Sequence, residues 1–173
     1  MSQGYEAGHS GRFLEDTLKR ELEARGFLFR DYVDDAGNMD MFTQKIVVRN
    51  VPYTSLYGCM SRSEFVITAE QRKIRVECRW QENSGSVDEK FPYLLRNAVE
   101  RMPENEVLIL YGGDGARKEA IAWLRNEAAK VSAKRIHVVN INNFLQWVRK
   151  ELVGYDGRDD FRKVNRGVLP RHP

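Results

Sequence analysis

Apolar positions recur along the chain at two spacings, and the switches between them lay out the elements. Between residues 11 and 25, Leu14, Leu18 and Leu22 repeat at i+4 with Phe13 beside them. This is the stripe of an amphipathic helix, with Ser10 as cap and Gly26 as stop. Residues 31–41 are polar and read as a loop. KIVVRNV at 45–51 reads as a strand ended by Pro52, and 52–61 as a connection. From there the spacing is two. RSEFVITA at 62–69 and KIRVECRW at 73–80 alternate around a short turn, the pattern of a hairpin. Ile74, Val76 and Cys78 fall on one face of the second strand, and Lys73, Arg75, Glu77 and Arg79 on the other.

The second half changes period again. Ser86 and Glu89 have capping-box spacing ahead of a helix that runs to Met102 and stops before Pro103. EVLILY at 106–111 is a compact apolar run, a strand buried on both faces. A glycine turn leads to a helix over 116–130, then RIHVV at 135–139 is an inner strand. A last helix, capped by Asn142 or Asn143, carries Phe144, Leu145 and Val148 to about Leu152. The expected order is α-β-β-β-α-β-α-β-α. It describes an α/β chain whose mixed sheet has an antiparallel meander, later strands alternating with helices, and helices on both faces.

Size and composition narrow the setting. A chain of 173 residues fits one domain, here 10–152, between a flexible 1–9 and a basic tail at 153–173. No apolar run is long enough to span a bilayer. The start MSQGYEAGHSG has no apolar signal core, and Cys59 and Cys78 have no partners at metal-ligand spacing, so a reduced, cytoplasmic setting is expected. The net charge of +3 permits nucleic-acid binding without arguing for it. The tail RDDFRKVNRGVLPRHP is more suggestive, since Arg162 and Lys163 can follow a phosphate backbone. It also fits an ordinary solvated terminus.

The chemistry concentrates between Glu64 and Lys90. Glu77 lies mid-strand between Val76 and Cys78, where a carboxylate needs a partner. Arg79 shares its face, and Glu64 on the preceding strand reaches the same edge of the hairpin. Two acids and a cation converging there suit metal-assisted phosphodiester hydrolysis. Mg²⁺ prefers hard oxygen donors, so Glu64, Glu77 and the Cys78 main-chain carbonyl can hold it. The same spacing also fits a cross-strand ion pair on a solvated face.

At these residues the sequence resembles the PD-(D/E)XK nuclease superfamily, with its restriction-endonuclease-like fold. Glu64 stands at the first acid position, and Glu77-Cys78-Arg79 at the acid-x-lysine position. Gln81 matches a glutamine found in a subset of members. The block ECRWQENSGSVDEKFPYL looks most like a small phage and bacterial branch. The resemblance implies a Mg²⁺- or Mn²⁺-dependent deoxyribonuclease, with Glu15 on the first helix as a further metal ligand. Gln81 would orient water or phosphate. Two departures stand out: Glu64 replaces the usual aspartate, and Arg79 replaces lysine. Arginine cannot release a proton near neutral pH and so cannot serve as general base. Lys90, one turn into the following helix, is a substitute cation, and it also fits a surface lysine paired with Asp88 or Glu89. Ser84, Gly85 and Ser86 offer amide groups to a phosphate oxygen. The alternative reading is a catalytically degenerate relative that binds nucleic acid or a protein partner. Cutting both strands of a duplex would most simply use a homodimer.

Other motifs carry less. Gly112-Gly113-Asp114-Gly115-Ala116-Arg117-Lys118 has Glu119 where a phosphate loop needs Ser or Thr, so it reads as a strand-to-helix turn. Three scattered histidines do not suggest zinc. Trp80, Trp123 and Trp147 read as core or core-edge aromatics, with Trp80 also able to stack on a base.

Overall fold

The computed structural model describes residues 3–33, 45–69, 71–82 and 87–152. Its elements are α1 (Gln3–Glu23), β1 (Leu28–Asp31), β2 (Ile46–Thr54), β3 (Met60–Ala69), β4 (Arg72–Trp80), α2 (Val87–Glu100), β5 (Glu106–Gly112), α3 (Lys118–Lys130), β6 (Arg135–Asn140) and α4 (Phe144–Glu151), with a 3₁₀ turn Ile141–Asn143 before α4. The strands form one six-stranded sheet in chain order, β1-β2-β3-β4-β5-β6. β2, β3 and β4 are an antiparallel meander; β1 joins it in parallel at one side, and β5 and β6 in parallel at the other.

The α/β mixed-sheet expectation therefore stands, with one strand more than the pattern showed. β1 was unread because it spans only four residues directly after a helix and leaves Leu28 exposed, so it has no alternation to detect. It is held by pairing Leu28 to Asp31 with Ile46 to Arg49, and by a 2.7 Å contact between Asp31 and Arg49. β2 also continues through Pro52, where a stop was expected. β1 covers β2 only as far as Arg49, so among the described residues no strand pairs with that side of β2 at Pro52, an edge position that tolerates proline. Helix α1 begins at Gln3, which puts Ser10 inside the helix and not at a cap. The leucine stripe starts only at Leu14, so apolar spacing gives no sign of the earlier turns.

Two apolar layers sandwich the sheet. On one side Leu14, Leu18 and Leu22 of α1 and Phe144, Trp147 and Val148 of α4 pack on Phe65, Ile67, Ile74, Val76, Cys78, Leu108 and Leu110. On the other, Phe91, Leu94, Leu95 and Ala98 of α2 and Ile121, Leu124 and Ala128 of α3 cover Val107, Ile109 and Tyr111. β4 lies between β3 and β5 under both layers, so on the charged face of its alternation Arg75 and Glu77 are buried, as the apolar face is.

The regular pattern breaks once, beside the charged residues. The β2–β3 ladder skips the Asn50–Glu64 pair, and Asn50 takes φ 55, a conformation asparagine tolerates better than most residues. The break resets the alternation. Val47 and Phe65 face α1, whereas Tyr53 and Ser63, an even number of residues away, face the α2 side. The β3–β4 ladder ends at the same level, at Phe65 opposite Val76.

At the far end of β4 the glycine turn is fixed by contact. A Cβ on Gly112 would lie 2.6 Å from the Trp80 ring. One on Gly113, at φ +80, would lie 2.1 Å from the Gln81 carbonyl oxygen. Gly113→Ala is expected to cost more than about 2 kcal/mol in urea unfolding, from strain and overlap together. Gly58→Ala, at φ +77 with nothing within 4 Å, should cost only about 1 kcal/mol of backbone strain. Equal losses would mean that the turn does not pack on Gln81 as described.

Candidate active site

Where β3 and β4 part, side chains fill the gap. The Glu64 carboxylate turns into it and accepts the Cys78 backbone N–H at 2.9 Å. Glu77, 1% exposed, accepts the Ser63 hydroxyl at 2.5 Å through Oε1 and the Arg79 guanidinium at 2.6 Å through Oε2. Arg79 also donates to the Cys78 carbonyl at 2.6 Å and lies 3.5 Å from Glu64 Oε1. One cation therefore touches Glu64, Glu77 and the Cys78 carbonyl, the three oxygen donors that the sequence assigned to a metal.

The Glu77 pocket continues inward through Arg75, which is 1% exposed. Its guanidinium is bidentate to Glu104 at 2.5 and 2.9 Å and donates to the Val51 carbonyl and the Ser63 hydroxyl at 3.0 and 3.1 Å. The ring of Tyr53 lies over it at 5.5 Å. Glu104, Arg75, Ser63, Glu77, Arg79 and Glu64 thus form one continuous string of alternating charge. Such charges persist in a core only when paired and hydrogen-bonded, and removing one partner typically costs about 3–5 kcal/mol.

The electrostatics follow from this crowding. Burial, and then the Glu77 charge, pushes the Glu64 pKa up to about 7 against the pull of Arg79. Burial and Glu77 likewise raise Tyr53 to about 12. Burial works against the charge on Arg79, but Glu77 and Glu64 outweigh it and raise its pKa. The Cys78 thiol is pushed well up by burial, with Glu64 and Glu15 adding to it.

The remaining candidates are distributed around this centre. Lys90 shares with Arg79 a cleft of about 350 Å³, lined also by Tyr53, Tyr93, Leu94 and Asn97. It is exposed and makes no hydrogen bond or ion pair among the described residues; Asp88 is instead taken by Arg117 at 2.7 Å. Glu15, half-buried on α1, adds its charge to those acting on the Cys78 thiol, and its own pKa is raised by burial and by Asp16. Gln81 faces the glycine turn: its backbone pairs with Gly112 and Gly115 at 3.1 and 2.8 Å, and its side-chain amide donates to the Gly115 carbonyl at 3.2 Å. Ser84, Gly85, Ser86, Arg162 and Lys163 lie outside the described residues. Sequence spacing missed Ser63, Arg75 and Glu104. The available signal was Arg75 alternating with Glu77 on a strand that proves central.

The donor set fits a divalent cation: two carboxylates and a main-chain carbonyl, all hard oxygens, already gathered around positive charge. A family model described as PD-(D/E)XK nuclease superfamily domain matches residues 6–152. A search of the curated proteins finds no match.

The raised Glu64 pKa has a signed consequence for stability. The folded state holds the proton more tightly than the unfolded chain, whose value is near the ordinary 4.5. The stabilisation is therefore complete below pH 4.5 and is lost as pH rises through about 7. In metal-free buffer, this carboxyl should lower unfolding free energy by at most about 1.4 kcal/mol per pH unit across that window. Glu64→Gln should flatten the profile there, as read by urea titrations. An unchanged slope in the variant would show that Glu64 is not the group responsible.

Proposed function

The chain belongs to the PD-(D/E)XK nuclease superfamily, and from that premise we propose that it is a Mg²⁺- or Mn²⁺-dependent deoxyribonuclease working at the gap between β3 and β4. The observation that carries this reading is the convergence of the Glu64, Glu77 and Cys78 oxygens on one cation, Arg79. Glu64, Glu77 and the Cys78 carbonyl would hold the ion, with Glu15 on α1 as a further candidate acid. An ion bound there acidifies its water and neutralises charge on the scissile phosphate.

The chain's own residues do the rest. Arg79 contacts the same three oxygens that would hold the ion, and it also lines the cleft beside them, where its guanidinium would meet a phosphate. It contributes charge and geometry, never a proton acceptor. Lys90, in the same cleft and without an acid partner among the described residues, supplies the second cation. Ser63 and Arg75 fix the Glu77 carboxylate, so they are positioning residues. Gln81 orients the glycine turn that follows β5. Ser84, Gly85, Ser86, Arg162 and Lys163 remain proposed backbone contacts. Acting on both strands of a duplex would take a homodimer. No helix among the described residues is long and apolar enough to cross a membrane.

A second reading, a non-cleaving relative that binds nucleic acid or a protein partner, is favoured by one fact: Arg79 already satisfies Glu77 at 2.6 Å. Cleavage of plasmid and single-stranded DNA in Mg²⁺ and Mn²⁺ decides between them. Glu77→Gln should slow cutting at least about 100-fold. Arg79→Lys, which can shed its proton when buried, should speed it about tenfold or more. Equal cutting by native protein and Glu77→Gln would remove the site from the chemistry. No cutting by native protein or Arg79→Lys, with DNA still bound, would establish the second reading.

A further inference from the structure

The turn between β2 and β3 carries an aromatic ring that projects into solvent. Tyr57 is 80% exposed, yet one face of its ring is stacked on Tyr93 of α2, with centroids 4.9 Å apart and an angle of 20° between planes. The turn does not need this contact to hold its place. The Leu56 N–H donates to Asn97 Oδ1 at 2.9 Å, tying the turn to α2. Ser55 and Cys59, and Gly58 and Ser55, close it internally at 2.9 Å each. The outer face of Tyr57 is left bare to solvent.

The stack opens onto the cleft already described. Lys90, Tyr93, Leu94 and Asn97 are spaced at i, i+3, i+4 and i+7, so one face of α2 lines that cleft. Lys90 lies one turn from Tyr93, about 4.5 Å along the helix axis. The opposite wall holds Tyr53 and Arg79. Cations lining the cleft and a two-ring stack that shares Tyr93 with it are the parts a nucleotide needs: charge for its phosphate and a flat face for its base.

From this juxtaposition we propose that Tyr57 and Tyr93 form a stacking platform for an unpaired base, and that the substrate strand enters the Arg79–Lys90 cleft single-stranded. The proposal rests on the nuclease reading above and narrows its substrate. In a duplex each base face is covered by its neighbours and cannot reach a tyrosine, whereas an unpaired base has a face free to cap Tyr57. Stacking does not read sequence, so the platform sets the strand state of the substrate and not its base order.

Fluorescence anisotropy with the full chain tests this. The probes are a short labelled single-stranded DNA, an RNA of the same sequence, and the matching DNA duplex, all in EDTA so that nothing is cut. Native protein should bind single strands more tightly than duplex. Tyr57→Ser should weaken single-strand binding roughly tenfold, the loss of one base stack, with duplex binding unchanged. Tyr57→Phe should bind like native protein, and thermal melting should be the same for all. Lys90→Ala should weaken every probe together, because phosphate contact is blind to strand state. Single-strand affinity unchanged in Tyr57→Ser, or an equal loss on duplex, overturns the platform while a Lys90→Ala effect leaves the nuclease reading in place. Failure of native protein to bind any probe overturns the platform, and the cleavage assay in Mg²⁺ and Mn²⁺ then decides the nuclease reading separately.

Discussion

Everything at this site depends on charge pairing inside a sheet. β4 is covered on both faces, so Arg75 and Glu77 cannot reach water and must find each other or equivalents. They do so through Ser63, and the string extends outward to Glu104 at one end and to Arg79 and Glu64 at the other. An apolar sheet of the same shape would be at least as stable, since buried ion pairs seldom repay their desolvation. What the string provides is position. The Glu77 carboxylate has both oxygens engaged, and Glu64 is anchored on the Cys78 amide where the ladder opens. The repulsion between the gathered carboxylates is offset by the Arg79 guanidinium, which contacts Glu77, Glu64 and the Cys78 carbonyl together.

The surrounding fold keeps that arrangement accessible. The irregularity at Asn50 and Glu64 turns Ser63 and Tyr53 to the α2 side, which closes the inner wall of the pocket. At the outer end, Trp80 and Gln81 lie so close to Gly112 and Gly113 that no side chain fits, holding the ends of β4 and β5 together while the β3 side remains open. The cleft therefore lies between the splayed strands and α2, with Arg79 and Lys90 among its lining residues.

Elements whose apolar spacing matched their final environment were legible in the sequence: the α1 leucine stripe, the β3–β4 hairpin and the inner strands β5 and β6. β1, the passage of β2 through Pro52 and the early turns of α1 were not, because each depends on what a neighbour covers or leaves free. The site divides the same way. Glu64, Glu77 and Arg79 lie close in sequence along one hairpin, and alternation alone puts them at one edge. Their burial was not visible, because alternation looks identical on a solvated sheet and on one covered by α2. Arg75 finds Glu104 across a helix and a turn, and Ser63 reaches Glu77 only through the reset at Asn50. No local pattern encodes either contact. Gln81 shows the converse. Its place after the acid-x-lysine positions suggested the reaction centre, yet the structure gives its amide to the turn that follows β5.

In the proposed reading, a divalent ion would compete with the Arg79 guanidinium for the same oxygens. A crystal of the native chain grown with Mn²⁺, with anomalous scattering measured at the manganese edge, tests it directly. The expected result is a peak between the Glu64 and Glu77 carboxylates and the Cys78 carbonyl, with Arg79 turned out into the cleft beside Lys90. Manganese bound elsewhere, or no peak there with Arg79 still on Glu77 at saturating ion, would contradict it.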